Sequence, residues 1–402
     1  MPYTSPVICG HRGFKAKFPE NTLLGFGKCF QNGGTIVETD TWLTKDQILI
    51  ISHDISTKRV FIDKDGNETN FIIPEQNYED LKDLKTIEGN QPLITFKQLL
   101  TWYVNFIEHE SEDIDADEKF KIMLDIKPLN PPKILRFIIK DLLSVKNDLN
   151  WWLNKVQFGV WDLNFIKFFN QDSYFQDLFY NQEFNNKYGF NHFDIINISG
   201  SWRRSIQYIN YNFYLDSLKA KKGGEERSYF KITGISLLYF STWSTEFLTK
   251  FIPLLKLQNL KFYSWTINTT EQFDYVNSIG RVAKLPEYGV ISDYPDVMYQ
   301  HKLSLEQESE VNPLDESKVG SGAFEYYDEN GDLSIKLTYR QFFISWLFHT
   351  FISITNPNAN KKVGLDDDDK FSSIVKEDEI IKIKPNPFSV WVFATLQHFG
   401  IC

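Results

Sequence analysis

Apolar positions along the chain fall in short runs separated by longer stretches with helical spacing. The runs at 6–9, 36–42, 121–126, 156–161, 193–199, 232–238, 261–267 and 288–292 have the length of buried strands. Between them lie helical patterns such as Leu23–Phe30, Lys133–Val145 and Thr245–Leu257. In the first, positions 23, 26 and 30 share a face, and Asn21 or Thr22 can cap it. Eight strands alternating with helices predict an α/β fold, a (β/α)8 TIM barrel, with a doubly wound open sheet as the alternative. One segment breaks the alternation. The runs IVETDTWL and ILIISHD are separated only by Thr44-Lys45-Asp46-Gln47, which predicts a hairpin after the second strand. If Lys45 and Asp46 form its loop, Thr44 pairs with Gln47 and Glu38 faces His53. Residues 62–92, 107–120, 170–192 and 215–228 are polar and read as loops or insertions.

After the last strand the pattern changes. Residues 1–302 make the barrel domain, 303–335 read as a polar linker, and 336–402 as a hydrophobic tail. Within the tail, Phe342–Ile354 and Pro387–Cys402 are apolar and aromatic. Each is shorter than the roughly 20 residues a spanning helix needs. They are expected to enter one leaflet or lie in the interface, attaching the chain to a membrane surface. The plain alternative is that they pack on the barrel as ordinary helices.

Composition narrows the partners. Aromatics make up 16% of the chain, which suits both a packed core and a lipid interface. The net charge is -10 with no long basic block, which excludes nucleic acid as principal partner. Cys9, Cys29 and Cys402 have neither disulfide-framework nor zinc-site spacing, so a reducing compartment fits. The early apolar run at 6–9 leads to the expectation of no signal peptide and of an intracellular membrane, that of the endoplasmic reticulum, the mitochondrion or a lipid droplet, with the barrel in the cytosol. Nothing in the sequence sets the oligomeric state.

Candidate chemistry gathers at the strand ends. In ICGHRGFKAKFPENTLLGF, His11 and Arg12 follow an apolar run, where ligands bind in α/β barrels. A structural ion pair is the plain alternative. Glu38 and Asp40 alternate on one strand, and Asp125 and Lys127 on another, so each pair shares a face. Three carboxylates at one rim repel unless a cation compensates, and all-oxygen ligands favour Mg²⁺ or Ca²⁺. Two histidines, His11 and His53, can act as base and acid. Arg12 and Lys127 offer donors matched to phosphate. Together these suit a phosphodiester.

The motifs also carry a resemblance. His11-Arg12-Gly13, Pro19-Glu20-Asn21-Thr22, Glu38-Thr39-Asp40, Thr44-Lys45-Asp46, His53-Asp54, Leu124–Lys127, YSWTIN at Tyr263–Asn268 and GVISDYP at Gly289–Pro295 stand in order over roughly residues 6–300. In this the chain resembles the glycerophosphodiester phosphodiesterases. Within them it is most similar to the fungal phosphatidylglycerol phospholipase C branch, on GHRGFKAKFPENTLLGF, IMLDIK, VKNDL and the apolar tail. Many family members have glutamate where Asp125 stands. The resemblance implies metal ligation by Glu38, Asp40 and Asp125, and substrate contacts from Arg12, Asn21, Lys127 and Trp265. His11 would take the proton of the attacking hydroxyl, and His53 would protonate the leaving oxygen. The implied activity is hydrolysis of phosphatidylglycerol to diacylglycerol and glycerol 3-phosphate. Alternatives are a soluble glycerophosphodiesterase, a lysophospholipase D, or an inactive lipid-binding protein. Asp293 and Pro295 are expected to shape the last loop, and Trp202-Arg203-Arg204 to meet a headgroup or solvent.

Overall fold

The structure, a computed structural model, describes residues 5–110, 119–180, 191–221, 228–311, 337–355 and 368–380. Eleven strands are found among them: β1 (Val7–Gly10), β2 (Ile36–Leu43), β3 (Leu49–Ile51), β4 (Phe61–Ile62), β5 (Lys85–Thr86), β6 (Lys121–Ile126), β7 (Val156–Val160), β8 (Asp194–Ser199), β9 (Gly234–Leu238), β10 (Lys261–Trp265) and β11 (Tyr288–Ser292). Strands β1, β2 and β6 to β11 are parallel neighbours, and β1 pairs with both β2 and β11, closing an eight-stranded barrel. The eight apolar runs all become barrel strands. A strand covered on both faces is apolar throughout, which is why these runs were legible.

Outward residues such as Ile122, Leu124, Phe158, Ile235, Leu237 and Val290 pack under the surrounding helices. Inward residues Cys9, Ile36, Met123, Ile196, Tyr263 and Ile291 form a separate apolar plug inside the barrel. Below the plug, Lys261 pairs with Asp194 at 2.7 Å, and Gln157 Nε2 donates to Asp194 and to Tyr263 Oη at 3.2 Å each. The amino end of the barrel is thus closed by polar contacts, and the carboxyl end is left open for the site.

The helix Leu23–Gln31 begins at Thr22, whose side chain accepts from Gly25 N at 3.1 Å. Thr22, not Asn21, is therefore the cap. The hairpin after β2 exists, but its register differs by one residue from the expected one. Leu43 pairs with Leu49 and Thr41 with Ile51, and Ser52 N donates to Asp40 O at 3.1 Å. The connection is longer than two residues, because Gln47 takes a left-handed conformation (φ 67°) and its N–H returns to Thr44 O at 3.0 Å. Glu38 accordingly has no pairing with His53.

Two boundaries also move. The helix Trp202–Lys221 takes up the first half of what read as an insertion at 215–228. The helix Pro295–Val311 carries the chain past 302, so the first part of the expected linker is helical. Residues 312–335 and the apolar segment Pro387–Cys402 lie outside the described residues. The other apolar segment is the helix Tyr339–Thr355, which packs against the turn Tyr239–Thr242. Among the described residues no helix is long and apolar enough to cross a membrane.

Candidate active site

At the carboxyl end of the barrel, parallel pairing sets Asp40 opposite Asp125, and Glu38 opposite Met123. Period-two alternation turns Glu38, Asp40 and Asp125 inward together. All three are buried, and their carboxylate oxygens lie within 4.8 Å of one another. Lys127 Nζ stands 2.6 Å from Asp40 Oδ1 and donates to Asp125 Oδ2 at 2.7 Å. Burial alone would raise Asp40, but Lys127, His53 and Arg12 pull it well below the usual carboxylate range. Glu38 goes the other way. Burial and the charges of Asp40 and Asp125 push it well up, so a further positive charge is what this corner lacks. A compact, all-oxygen donor set of this kind fits a hard dication.

The turn that carries His11 and Arg12 is tight. Arg12 and Gly13 are both left-handed, with φ of 53° and 87°. A Cβ at Gly13 would stand 2.9 Å from the backbone of Gly25, so only glycine fits there. The turn aims Arg12 N at Glu38 Oε2, to which it donates at 2.8 Å. The side chain lies between two acids, with Nη1 donating to Glu20 at 3.2 Å and Nε 3.7 Å from Asp40 Oδ2. Asn21 was expected to touch substrate. Instead its Nδ2 donates to Asp40 Oδ2 at 3.0 Å, and its Oδ1 accepts from Thr39 Oγ1 at 2.9 Å. It orients a carboxylate.

The two histidines flank the triad, and each has its own acid. His11 Nδ1 lies 2.6 Å from Asp293 Oδ1, and His53 Nδ1 lies 2.7 Å from Asp54 Oδ1. Burial would raise Asp293 and Asp54, yet the histidine contacts and neighbouring cations hold both well below the usual range. As carboxylates they accept Nδ1–H, which leaves each Nε2 with its lone pair. Burial, then the charge of Arg12, lowers His11 to about 4. His53 is lowered as well, by burial and by Lys127.

A cavity of about 540 Å³ opens over this group. Its walls include His11, Arg12, His53, Lys127, Trp161, Ser236 and Trp265. Arg12 Nε, Ser236 Oγ and Trp265 Nε1 are buried there without hydrogen-bond partners.

The structure thus brings His11, Arg12, Glu38, Asp40, His53, Asp125, Lys127 and Trp265 to one cavity. Sequence reasoning missed several others. Asp293, read as a loop-shaping residue, pairs with His11. Trp161 Nε1 donates to Asp125 Oδ1 at 2.6 Å, and Trp161 meets Trp265 edge-on at 5.9 Å. Arg59 joins Asp54 (2.6 Å) to Glu20 (2.6 and 2.9 Å) and so extends the Arg12 network to His53. The His53-Asp54 and Pro19-Glu20 neighbours were the available signal for part of this. Trp202 is buried, and Arg203 lies over its ring, away from the cavity walls.

A closed parallel barrel with a carboxylate triad between two histidine–carboxylate pairs defines a barrel protein whose chemistry sits at its carboxyl-end mouth. A profile of the Glycerophosphoryl diester phosphodiesterase family matches residues 11–297, and the chain belongs to that family. A glycerophosphodiester phosphodiesterase of Bacillus altitudinis is 36% identical over 122 residues, 30% of this chain and 44% of the relative. An uncharacterized protein of Mycoplasma genitalium is 29% identical over 126 residues, 29% of this chain and 48% of the relative. The matches span somewhat less than half the length of these curated relatives. Among solved structures, a glycerophosphodiester phosphodiesterase of Parabacteroides distasonis superposes with a TM-score of 0.50 at 14% identity, covering 75% of this chain and 98% of that one. That likeness is one of fold.

Proposed function

We propose that the chain is a metal-dependent phosphodiesterase that cleaves phosphatidylglycerol in phospholipase C fashion, giving diacylglycerol and glycerol 3-phosphate. The observation that carries the reading is the cavity wall itself. Two cations, Arg12 and Lys127, line one space with the buried carboxylate triad Glu38, Asp40 and Asp125 and with two histidines. The guanidinium and ammonium match a phosphate, and the all-oxygen triad beside them matches a dication.

Glu38, Asp40 and Asp125 would hold Mg²⁺ or Ca²⁺, which when bound supplies charge neutralisation at the phosphate. The rest is the work of the chain. Arg12 binds a phosphate oxygen and keeps its orientation through Glu20. His11, neutral at pH 7, accepts at Nε2 the proton of the attacking hydroxyl, which is either water or the 2-hydroxyl of the glycerol headgroup; in the second case diacylglycerol leaves first and water then opens the cyclic phosphate to glycerol 3-phosphate. His53, once it has taken up a solvent proton at Nε2, gives that proton to the leaving oxygen, and His11 returns the one it accepted to solvent. Lys127 holds Asp40 and Asp125 in register. The tail supports a lipid substrate, because the helix Tyr339–Thr355 packs on the turn that follows β9 at the carboxyl end of the barrel and exposes aromatic side chains.

The test is a panel of phospholipids and soluble glycerophosphodiesters, with and without EDTA, alongside His53→Ala. Selective cleavage of phosphatidylglycerol, abolished by EDTA and by the substitution, is the expected result. Equal cleavage of all headgroups, or action on soluble diesters alone, overturns the lipid assignment. Activity indifferent to EDTA overturns the metal.

A further inference from the structure

The described part of the tail is fastened to the barrel at two places. In the first, the helix Tyr339–Thr355 lays Ser345 and Phe348, both buried, on the turn Tyr239–Thr242 that directly follows β9. Its other face carries Tyr339, Phe342, Phe343, Trp346 and Leu347, spaced by three and four residues and all exposed, Tyr339 at 96%. This reverses the usual order of a surface helix, whose apolar stripe faces the core.

In the second, the segment Asp368–Ile380 crosses the outer wall. Phe371 is 1% exposed and sits against the rings of Tyr211 and Tyr214, at 5.4 and 5.3 Å. Gln171 brackets the strap, donating to Ser373 O and accepting from Val375 N, each at 2.9 Å. Lys133 N donates to Glu377 O at 3.1 Å, and Lys133 Nζ pairs with Asp378 at 2.5 Å. Lys133 immediately precedes the helix Ile134–Val145, which follows β6. The amino ends of such helices lie at the carboxyl ends of the strands. Both fastenings therefore reach the rim that holds the active site.

We propose that the fastened tail is an orientation device. It holds the catalytic mouth against a lipid bilayer, with the Tyr339–Leu347 stripe lying in the interfacial layer. This rests on the lipid-substrate reading above. A bilayer is the occupant argued for on three grounds. The stripe is aromatic, as interfacial anchors are. The stretch of helix that carries it, Tyr339–Leu347, holds a single charged side chain, the exposed Arg340, which suits anionic lipid. The strap also presents Ile374 and Ile380 outward, 85% and 47% exposed, and the apolar residues 387–402 follow it in sequence. A flexible tether would leave the mouth to sample every direction, whereas a docked one presents it to the lipid.

The experiment uses the full chain with vesicles of phosphatidylglycerol and phosphatidylcholine. Co-sedimentation, vesicle-lipid hydrolysis and hydrolysis of a soluble glycerophosphodiester are read side by side. Phe371→Ser and Lys133→Glu, which release the strap, should leave vesicle binding and soluble turnover near wild type and lower vesicle hydrolysis by about tenfold. The surface substitution Lys133→Glu decides the matter if Phe371→Ser disturbs the fold. Phe342→Ser with Trp346→Ser should weaken vesicle binding. Undiminished vesicle hydrolysis, with amide exchange showing the strap released, overturns the orientation role alone. Unchanged binding by the stripe variant, or its loss of binding to a protein partner instead, overturns the bilayer as occupant. A wild-type chain that ignores vesicles while cutting soluble diesters overturns the lipid reading and this inference together.

Discussion

His11 and Asp293 stand 282 residues apart in sequence and 2.6 Å apart in space. Barrel closure makes the pair. Gly10 on β1 registers with Ser292 on β11, and His11 N donates to Ser292 O at 2.8 Å, so the next residue of each strand meets across the seam. Asp293 is itself held by Asn268 Nδ2 at 3.1 Å. Its carboxylate fixes Nδ1 as the protonated nitrogen and turns Nε2 into the acceptor. In Asp293→Asn the amide can donate instead, and the wrong tautomer follows. We expect kcat on a soluble diester to fall by about 10³–10⁴ with KM little changed. Steady-state kinetics across pH check this. A loss confined to KM would make Asp293 a substrate-binding residue.

Trp161 acts on Asp125 as Asp293 acts on His11. An aspartate here is a methylene shorter than the glutamate it resembles in position, and its carboxylate is fixed from two sides by Trp161 Nε1 and Lys127 Nζ. Trp161→Phe keeps a ring against Trp265 and removes the donor. Loss of an outer-shell partner lowers metal affinity by about 10- to 100-fold. Calorimetric titration with Mg²⁺ and Ca²⁺ should show that loss with little change in thermal stability of the metal-free chain.

The parts legible in the sequence are those whose cause is local. Buried parallel strands read as apolar runs, and alternation along one strand placed Glu38 with Asp40 and Asp125 with Lys127. Hairpin register was not legible, because one left-handed residue, Gln47, lengthens the connection and shifts every pairing by one. The His11–Asp293 and Trp161–Asp125 contacts join different strands and depend on barrel closure. The strap was hidden for another reason. Its charged run reads as solvated, and the single anchor Phe371 gives no periodic signal.

Acid sensitivity follows from two partly buried groups. His11 is lowered from 6.5 to about 4 by burial and by Arg12, against the pull of Asp293. Between those values the unfolded chain holds a proton that the folded chain lacks, so stability falls as pH drops through that window and levels below it. Glu20 is lowered from 4.5 to about 2, because Arg59 and Arg12 outweigh its burial. Its contribution is present above 4.5 and is lost as pH falls towards 2. Each group accounts for on the order of 3 kcal/mol. Urea midpoints measured from pH 7 to pH 3 in metal-free buffer should fall continuously, and His11→Gln should flatten the upper part of the curve while Glu20→Gln flattens the lower.

Lys127 and a bound cation neutralise the same carboxylates, and this makes the lysine's worth depend on metal. In the metal-free chain its ammonium is the positive charge in contact with both Asp40 and Asp125, at 2.6 and 2.7 Å. Its burial opposes the charged form, but the two carboxylates more than compensate and hold the ammonium protonated. Lys127→Met keeps the stem and removes the charge, leaving Asp40 and Asp125 to repel each other in a buried corner. Removing one partner of a buried charge set costs about 3–5 kcal/mol. Saturating Mg²⁺ or Ca²⁺ supplies the missing charge at the same oxygens. The melting temperature of Lys127→Met should therefore lie well below wild type in EDTA and approach it on adding metal, while wild type shifts less. Equal destabilisation with and without metal would separate Lys127 from the carboxylate triad, and a variant unaffected in EDTA would show that the triad is already protonated there.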